Sequence, residues 1–146
     1  MISNIIEQDS YKELINSQIK DIIDYLLENN EEFAITANIE AMEFTPELPK
    51  NIKSQLSKFS LYILANYTYT TIEINDKNIM SFEAGFGSEN FGSKVQLPLH
   101  SIFQIIIDDA ILYLNPLATV DKFNSNPKEK SLNVFKNNPK NKNLIN

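Results

Sequence analysis

Cysteine, tryptophan and arginine are missing from this chain of 146 residues, glycine occurs three times and histidine once. Without cysteine there is no disulfide, no thiolate metal site and no cysteine nucleophile. A single histidine, His100, gives no basis for a zinc centre built from imidazoles. It has no serine or cysteine partner at a motif spacing, so a surface or capping role is expected for it. There is no phosphate-cradling loop, no dinucleotide fingerprint and no nucleophile elbow. No apolar run approaches the ~20 residues of a membrane-spanning helix, and no signal peptide is evident. The expectation is a soluble cytoplasmic protein that is not an enzyme and that carries no metal or cofactor.

The charge present is unevenly placed. Residues 1–120 carry a balance of −10 and residues 121–146 one of +4, for a total of −6. An acidic body without arginine is a poor phosphate binder, which argues against nucleic acid. The length fits one domain with tails.

The richest stretch is Leu61–Leu99. Leu61–Tyr69, Thr71–Asn75 and Ile79–Phe86 read as strands, with Lys94–Leu99 following a glycine-punctuated loop. The polar turn Asp76-Lys77-Asn78 separates the second from the third. All three glycines (Gly85, Gly87 and Gly92) fall at or just beyond the end of the third strand. Glycine permits positive φ and close approach of another backbone, which makes this rim a candidate peptide groove. Leu61–Ala65 is almost wholly apolar and reads as a strand buried on both faces, with Tyr67 and Tyr69 sharing a face after it.

Upstream, Met1–Asp9 has little pattern. Ser10 and Glu13 have the spacing of a capping box. Leu14, Ile15, Ile19, Ile22, Ile23, Leu26 and Leu27 recur at steps of three and four, which predicts an amphipathic helix ending at Asn29-Asn30. Its apolar stripe is wide enough to pack on a sheet and also to pair with a twin helix. Phe33, Ile35, Ala37, Ile39 and Ala41 share one parity and predict a strand over 32–44. A proline-bearing break follows at Thr45–Pro49, then a short helical turn within Asn51–Phe59. Downstream, Leu99–Ile107 is helix or strand, Asp108-Asp109 a turn, and Ala110–Leu114 a last short strand. Glu83 reads as a solvated strand position, since no second carboxylate is placed to pair with it.

Beyond Asp121 the composition shifts to Asn, Lys, Ser and Pro, which predicts a flexible tail over 121–146. One apolar island interrupts it, Ser131-Leu132-Asn133-Val134-Phe135-Lys136. The expected fold is therefore mainly β (α+β): a small, partly open barrel over 1–120 with an N-terminal amphipathic helix and a disordered C-terminal tail.

Phe82-Glu83-Ala84-Gly85-Phe86-Gly87-Ser88 followed by Val95-Gln96-Leu97-Pro98-Leu99 resembles the F-x-A-x-F-G-G … V-x-V-P-[LY] signature of SspB, the adaptor of the ClpXP protease. The order of elements resembles that family too, and the insertion Pro49–Phe59 is more similar to its alphaproteobacterial variety. The tail island resembles the family's ClpX-docking motif. Gly85 stands where the family has a basic residue and Ser88 where it has a second glycine. Asn137–Asn146 follows the island, which in the family lies at the terminus.

The resemblance implies a Greek-key, Sm-like barrel that binds ssrA-tagged polypeptides in a strand groove. It implies a homodimer through the helix at 10–30, with Leu14, Ile15, Ile22 and Leu26 at the interface. It implies tag contacts from Phe82, Ala84, Gly85, Phe86, Gly87 and Ser88, with Val95 flanking, and docking of the ClpX N-terminal zinc-binding domain by Leu132, Val134, Phe135 and Lys136. The alternative from another class is an Sm-like nucleic-acid binder.

Overall fold

The computed structural model of this chain describes residues 4–125. Within them the protein is a small α+β fold with an N-terminal helix and two antiparallel sheets of four strands each. Among the described residues no helix is long and apolar enough to cross a membrane.

Helix α1 spans Asp9–Glu28. Ile15, Ile19, Ile23 and Leu26 lie one turn apart along one stripe and are all buried, so the stripe that shapes the helix also seats it. The expected capping box at Ser10 does not form. The N-cap is Gln8, without a side-chain bond, because a 3-10 turn at Ile5–Glu7 brings the chain in earlier. The Gln8 carbonyl then accepts from the Tyr11 and Lys12 amides. At the other end Asn30 takes φ 55°. The Glu31 amide reaches back to the Leu26 carbonyl at 2.9 Å, a left-handed closure in which asparagine replaces glycine.

The expected strand over 32–44 is two strands in two sheets, β1 (Phe33–Asn38) and β2 (Glu43–Thr45). The parity of Ile39 and Ala41 conceals a 3-10 turn at Ile39–Ala41. Asn38 makes the corner. Its side-chain oxygen accepts from the Glu40 amide at 3.0 Å, and its Nδ2 donates to the Ala118 carbonyl at 2.9 Å. The helical turn after the Pro break is α2, Lys50–Lys53.

Strand β3 runs Phe59–Leu64 and alternates, with Ser60, Tyr62 and Leu64 buried and Leu61 and Ile63 exposed. It is not covered on both faces, because nothing among the described residues lies over its outer side. Nor does the strand continue to Tyr69. Asn66–Thr70 is a short helix, α3, so Tyr67 and Tyr69 do not share a strand face. Two tyrosine hydroxyl bonds hold this helix: Tyr69 to the Leu26 carbonyl at 3.2 Å, and Tyr67 to the Glu83 carboxylate at 2.9 Å.

The turn at Asp76–Asn78 joins the two-residue β4 (Glu73–Ile74) to β5 (Ile79–Phe86). Asn75 Oδ1 accepts from the Lys77 and Ile79 amides to fix it. Strand β6 begins earlier than expected, at Phe91, and ends at Pro98. The β5–β6 turn is thus the four residues 87–90, with Gly87 at φ 73° and Asn90 at φ 54°. After a 3-10 turn at Leu99–Ser101 come β7 (Ile102–Ile107) and β8 (Ala110–Leu114).

Strand order is β3-β1-β7-β8 in the first sheet and β2-β6-β5-β4 in the second. Ile35, Leu64, Ile102 and Ile105 of the first, Met80, Phe82, Val95 and Leu97 of the second, and Ile19 and Ile23 of α1 form one core. Each such side chain, fully buried, contributes about 1.5–3 kcal/mol.

His100 is in this body rather than on its surface. Its ring is buried and Nε2 lies 2.8 Å from the Phe123 carbonyl. The described chain beyond residue 120 packs as well. Asn124 is fully buried, and its Nδ2 donates to the Leu117 and Val120 carbonyls. The tail island lies outside the described residues.

Candidate functional site

The β5–β6 hairpin sets the site. Its eight register pairs run from Ile79↔Pro98 to Phe86↔Phe91 and include Glu83↔Lys94, Ala84↔Ser93 and Gly85↔Gly92. Successive residues of a strand point to opposite faces. Phe82, Phe86 and Val95 therefore point inward, 1%, 9% and 0% exposed. They are core residues beneath the site and not part of its surface. Glu83, Gly85, Gly92 and Lys94 point outward. The pair Gly85↔Gly92 leaves the sheet without side chains at one level.

A hollow of about 720 Å³ lies over this level. Its floor is Glu83–Gly85 of β5 and Gly92–Lys94 of β6. Thr45 and Pro46 form one wall and Ala65–Thr68 the other, with Asn90 at one end. Of the seven residues expected at a tag groove, Ala84 and Gly85 line the hollow. Gly87 and Ser88 belong to the adjoining turn. Sequence reasoning missed the walls, because Thr45-Pro46 reads as a break and the Ala65–Thr68 segment as strand. Lys94 and Glu83 were legible in principle, as outward neighbours of the glycine pair.

The glycines differ in what they permit. A side chain at Gly85 would overlap the carboxamide of Asn90, which folds across it. At Gly92 an added Cβ meets open space.

The edge of β5 is also open here. Strand β4 pairs with Met80 and Ser81 and goes no further. Past it the Glu83 amide donates to Thr71 Oγ1 at 2.8 Å, away from β6. The alternation of an antiparallel ladder turns the N–H and C=O of Gly85 to the same side, where no strand of the described residues pairs with them.

The hollow is lined by hydrogen-bonding groups. Tyr67 donates to Glu83 Oε2, and the bond to that carboxylate, together with its charge, raises the phenol pKa. Lys94 stands across the strand from Glu83, and the Asn66 and Asn90 carboxamides flank the pair. Such a lining can hold the backbone of an extended chain and present one charge of each sign to its side chains. Among the described residues no group of three or more His, Asp or Glu could hold a metal ion.

Of the helix residues expected at a dimer interface, Ile15 and Leu26 are buried in the chain's own core, Ile22 is half-buried and Leu14 is exposed. Leu132, Val134, Phe135 and Lys136 lie outside the described residues. No family model matches the chain, and no curated protein matches it.

Proposed function

We propose that this protein is a protease specificity adaptor of the SspB kind. It binds degradation-tagged peptides of the ssrA type in the hollow over Gly85 and Gly92 and delivers them to ClpX in the cytoplasm. In this reading the two-sheet body is a partly open, Sm-like Greek-key barrel, and the adaptor performs no chemistry of its own. The observation that carries it is the coincidence of an unpaired β5 edge with a polar hollow at a level without side chains. A short unfolded peptide can add its backbone to such an edge and place alternate side chains in the hollow.

The tail supplies the second half of the proposal. Leu132, Val134, Phe135 and Lys136 dock on the ClpX zinc-binding domain, and the linker before them raises the local concentration of bound cargo at the unfoldase. Fluorescence anisotropy with a labelled tag peptide tests the groove, and degradation of a tagged fluorescent protein by ClpXP tests delivery. The expected result is saturable peptide binding by the intact chain. A chain ending at residue 125 keeps that binding and loses delivery at low substrate concentration. Absence of tag binding by the folded protein, or undiminished delivery by the truncated chain, defeats the corresponding half.

A further inference from the structure

We propose that the basic segment after Ser125 lies along the outer face of the second sheet of its own chain, with its first lysines on an acidic row there and its apolar island at the glycine level. The route is built into the surface. Ser125, where the described chain ends, lines a hollow of about 430 Å³ with Ile79, Gln96 and Pro98. Ile79 and Gln96 also line a second hollow of about 430 Å³, which extends to Lys94. Lys94 in turn lines the hollow over Gly85 and Gly92. Shared lining residues thus join three hollows into one track along the outside of β5 and β6, from Ser125 to the candidate site.

Charge selects the occupant. The registers place Glu43, Gln96, Ser81 and Glu73 in one row across the sheet. The row faces outward, because Phe44, Met80, Val95 and Leu97 beside it in the strands are buried. Among the described residues neither Glu43 nor Glu73 is in an ion pair. Residues 126–146 carry Lys128, Lys130, Lys136, Lys140 and Lys142 against Glu129, a balance of +4 that leaves −10 on residues 1–125. A tethered segment of one sign is drawn to a nearby face of the other.

Reach and order agree. From Ile79↔Pro98 to Gly85↔Gly92 is six residues of ladder, about 20 Å. An extended chain leaving Ser125 covers that length by Ser131–Leu132. It passes the acidic row first, where Lys128 and Lys130 arrive, and the glycine level second, where the island begins. Alternate residues of an extended chain share a side, so the side that turns Lys128 and Lys130 to the carboxylates also sets Leu132 and Val134 over the level without side chains. On the adaptor reading, and resting on it, the island then competes with cargo for the hollow, and its docking on ClpX frees the hollow for cargo. Tethering makes that competition effective even where the contact itself is small.

Paramagnetic relaxation in the full chain tests the placement without any tag peptide, so its outcome is independent of the adaptor reading. The cysteine-free background takes a single nitroxide at Ser131→Cys. Isotope-labelled, nitroxide-bearing chain is diluted into an excess of unlabelled chain, so that only contacts within one chain register. The expected result is selective broadening of the Gly85 and Gly92 amides over those of Ile63 and Leu114 in the first sheet. Lys128→Glu with Lys130→Glu removes the broadening, and adding Glu43→Lys with Glu73→Lys restores it. The lysine double variant also binds a labelled tag peptide about threefold more tightly than the natural chain. Absent or uniform broadening overturns the proposal, and so does broadening centred on Ile63 and Leu114, which assigns the segment to the first sheet. Equal tag affinity in the two chains overturns the competition. Selective broadening in a folded chain that binds no tag upholds the placement and removes the adaptor reading alone.

Discussion

The two sheets have the same number of strands, are antiparallel throughout and face one core, yet their outer sides are opposites. The strands of the first carry no charged residue. Those of the second carry Glu43, Glu73, Glu83 and Lys94. The first has exposed apolar side chains on its edge strands, Leu61 and Ile63 on β3 and Ile111 and Leu114 on β8, with the bonded pair Thr36 and Gln104 between them, and the second has a level with none. The inner residues explain why both fold, and the outer ones decide what each can meet. Exposed apolar edges gain from being covered by apolar surface. A polar face with a glycine gap and a free strand edge gains from a chain that brings its own hydrogen bonds.

The largest effect should come from beneath both faces. Phe82→Ala removes a buried ring whose centroid lies 6.2 Å from that of Tyr62. It should cost about 3–5 kcal/mol in urea unfolding. Loss of tag binding in that variant would follow from lost fold alone. Gly92→Trp acts on the second face only. Its Cβ enters open space over the hollow, so tag affinity should drop at least tenfold, about 1.4 kcal/mol, while urea unfolding shows the fold retained. Tyr67→Phe removes the hydroxyl from Glu83 and should change tag affinity by no more than about threefold, measured by anisotropy, since exposed hydrogen bonds contribute little net. Ile111→Lys is the mirror experiment on the first face. It should leave tag affinity within about twofold by the same measurement, because the sites are distant.

The smallest effect lies away from both faces, at His100. Burial lowers its pKa from the ordinary 6.5, and Lys12 adds to the lowering against the opposing pull of the Phe123 carbonyl and Glu13. Nε2 donates to Phe123 and buried Nδ1 has no partner, so the neutral ring is the one that fits. The unfolded chain takes up the proton first. Stability from this group is therefore full above about pH 6.5 and is lost as pH falls from there through the lower folded pKa. Thermal midpoints at pH 7.5 and pH 5 should differ more in the natural chain than in His100→Phe.

One strand of each sheet was legible to its ends. Strand β5 of the second runs Ile79–Phe86 as its pattern predicts, and β8 of the first runs Ala110–Leu114, because a turn at each side pins them. The misread elements fail for physical reasons. Tyr67, Thr68, Tyr69 and Thr70 are strand formers by propensity, yet tertiary bonds to Glu83 and Leu26 hold them helical. Leu61–Ala65 looks buried on both faces because composition records apolarity and not what covers it. The parity from Phe33 to Ala41 runs unbroken through a corner that one asparagine makes. For the site, the glycines marked the level, but the walls come from segments far away in sequence, Thr45-Pro46 and Ala65–Thr68, which no local pattern ties to it.

The chain crosses between the sheets repeatedly, β1 in the first, β2 in the second, β3 back in the first, β4 to β6 in the second and β7 and β8 in the first again. During synthesis, then, neither sheet can be completed early. The second must wait for β6, and the first for Leu114, by which time nearly the whole body has left the ribosome. Until then the inward residues of β1 and β3, among them Ile35 and Leu64, have no completed sheet to pack against. This is the interval in which the chain is most exposed to capture by chaperones, and slowing translation after Leu64 should lengthen it.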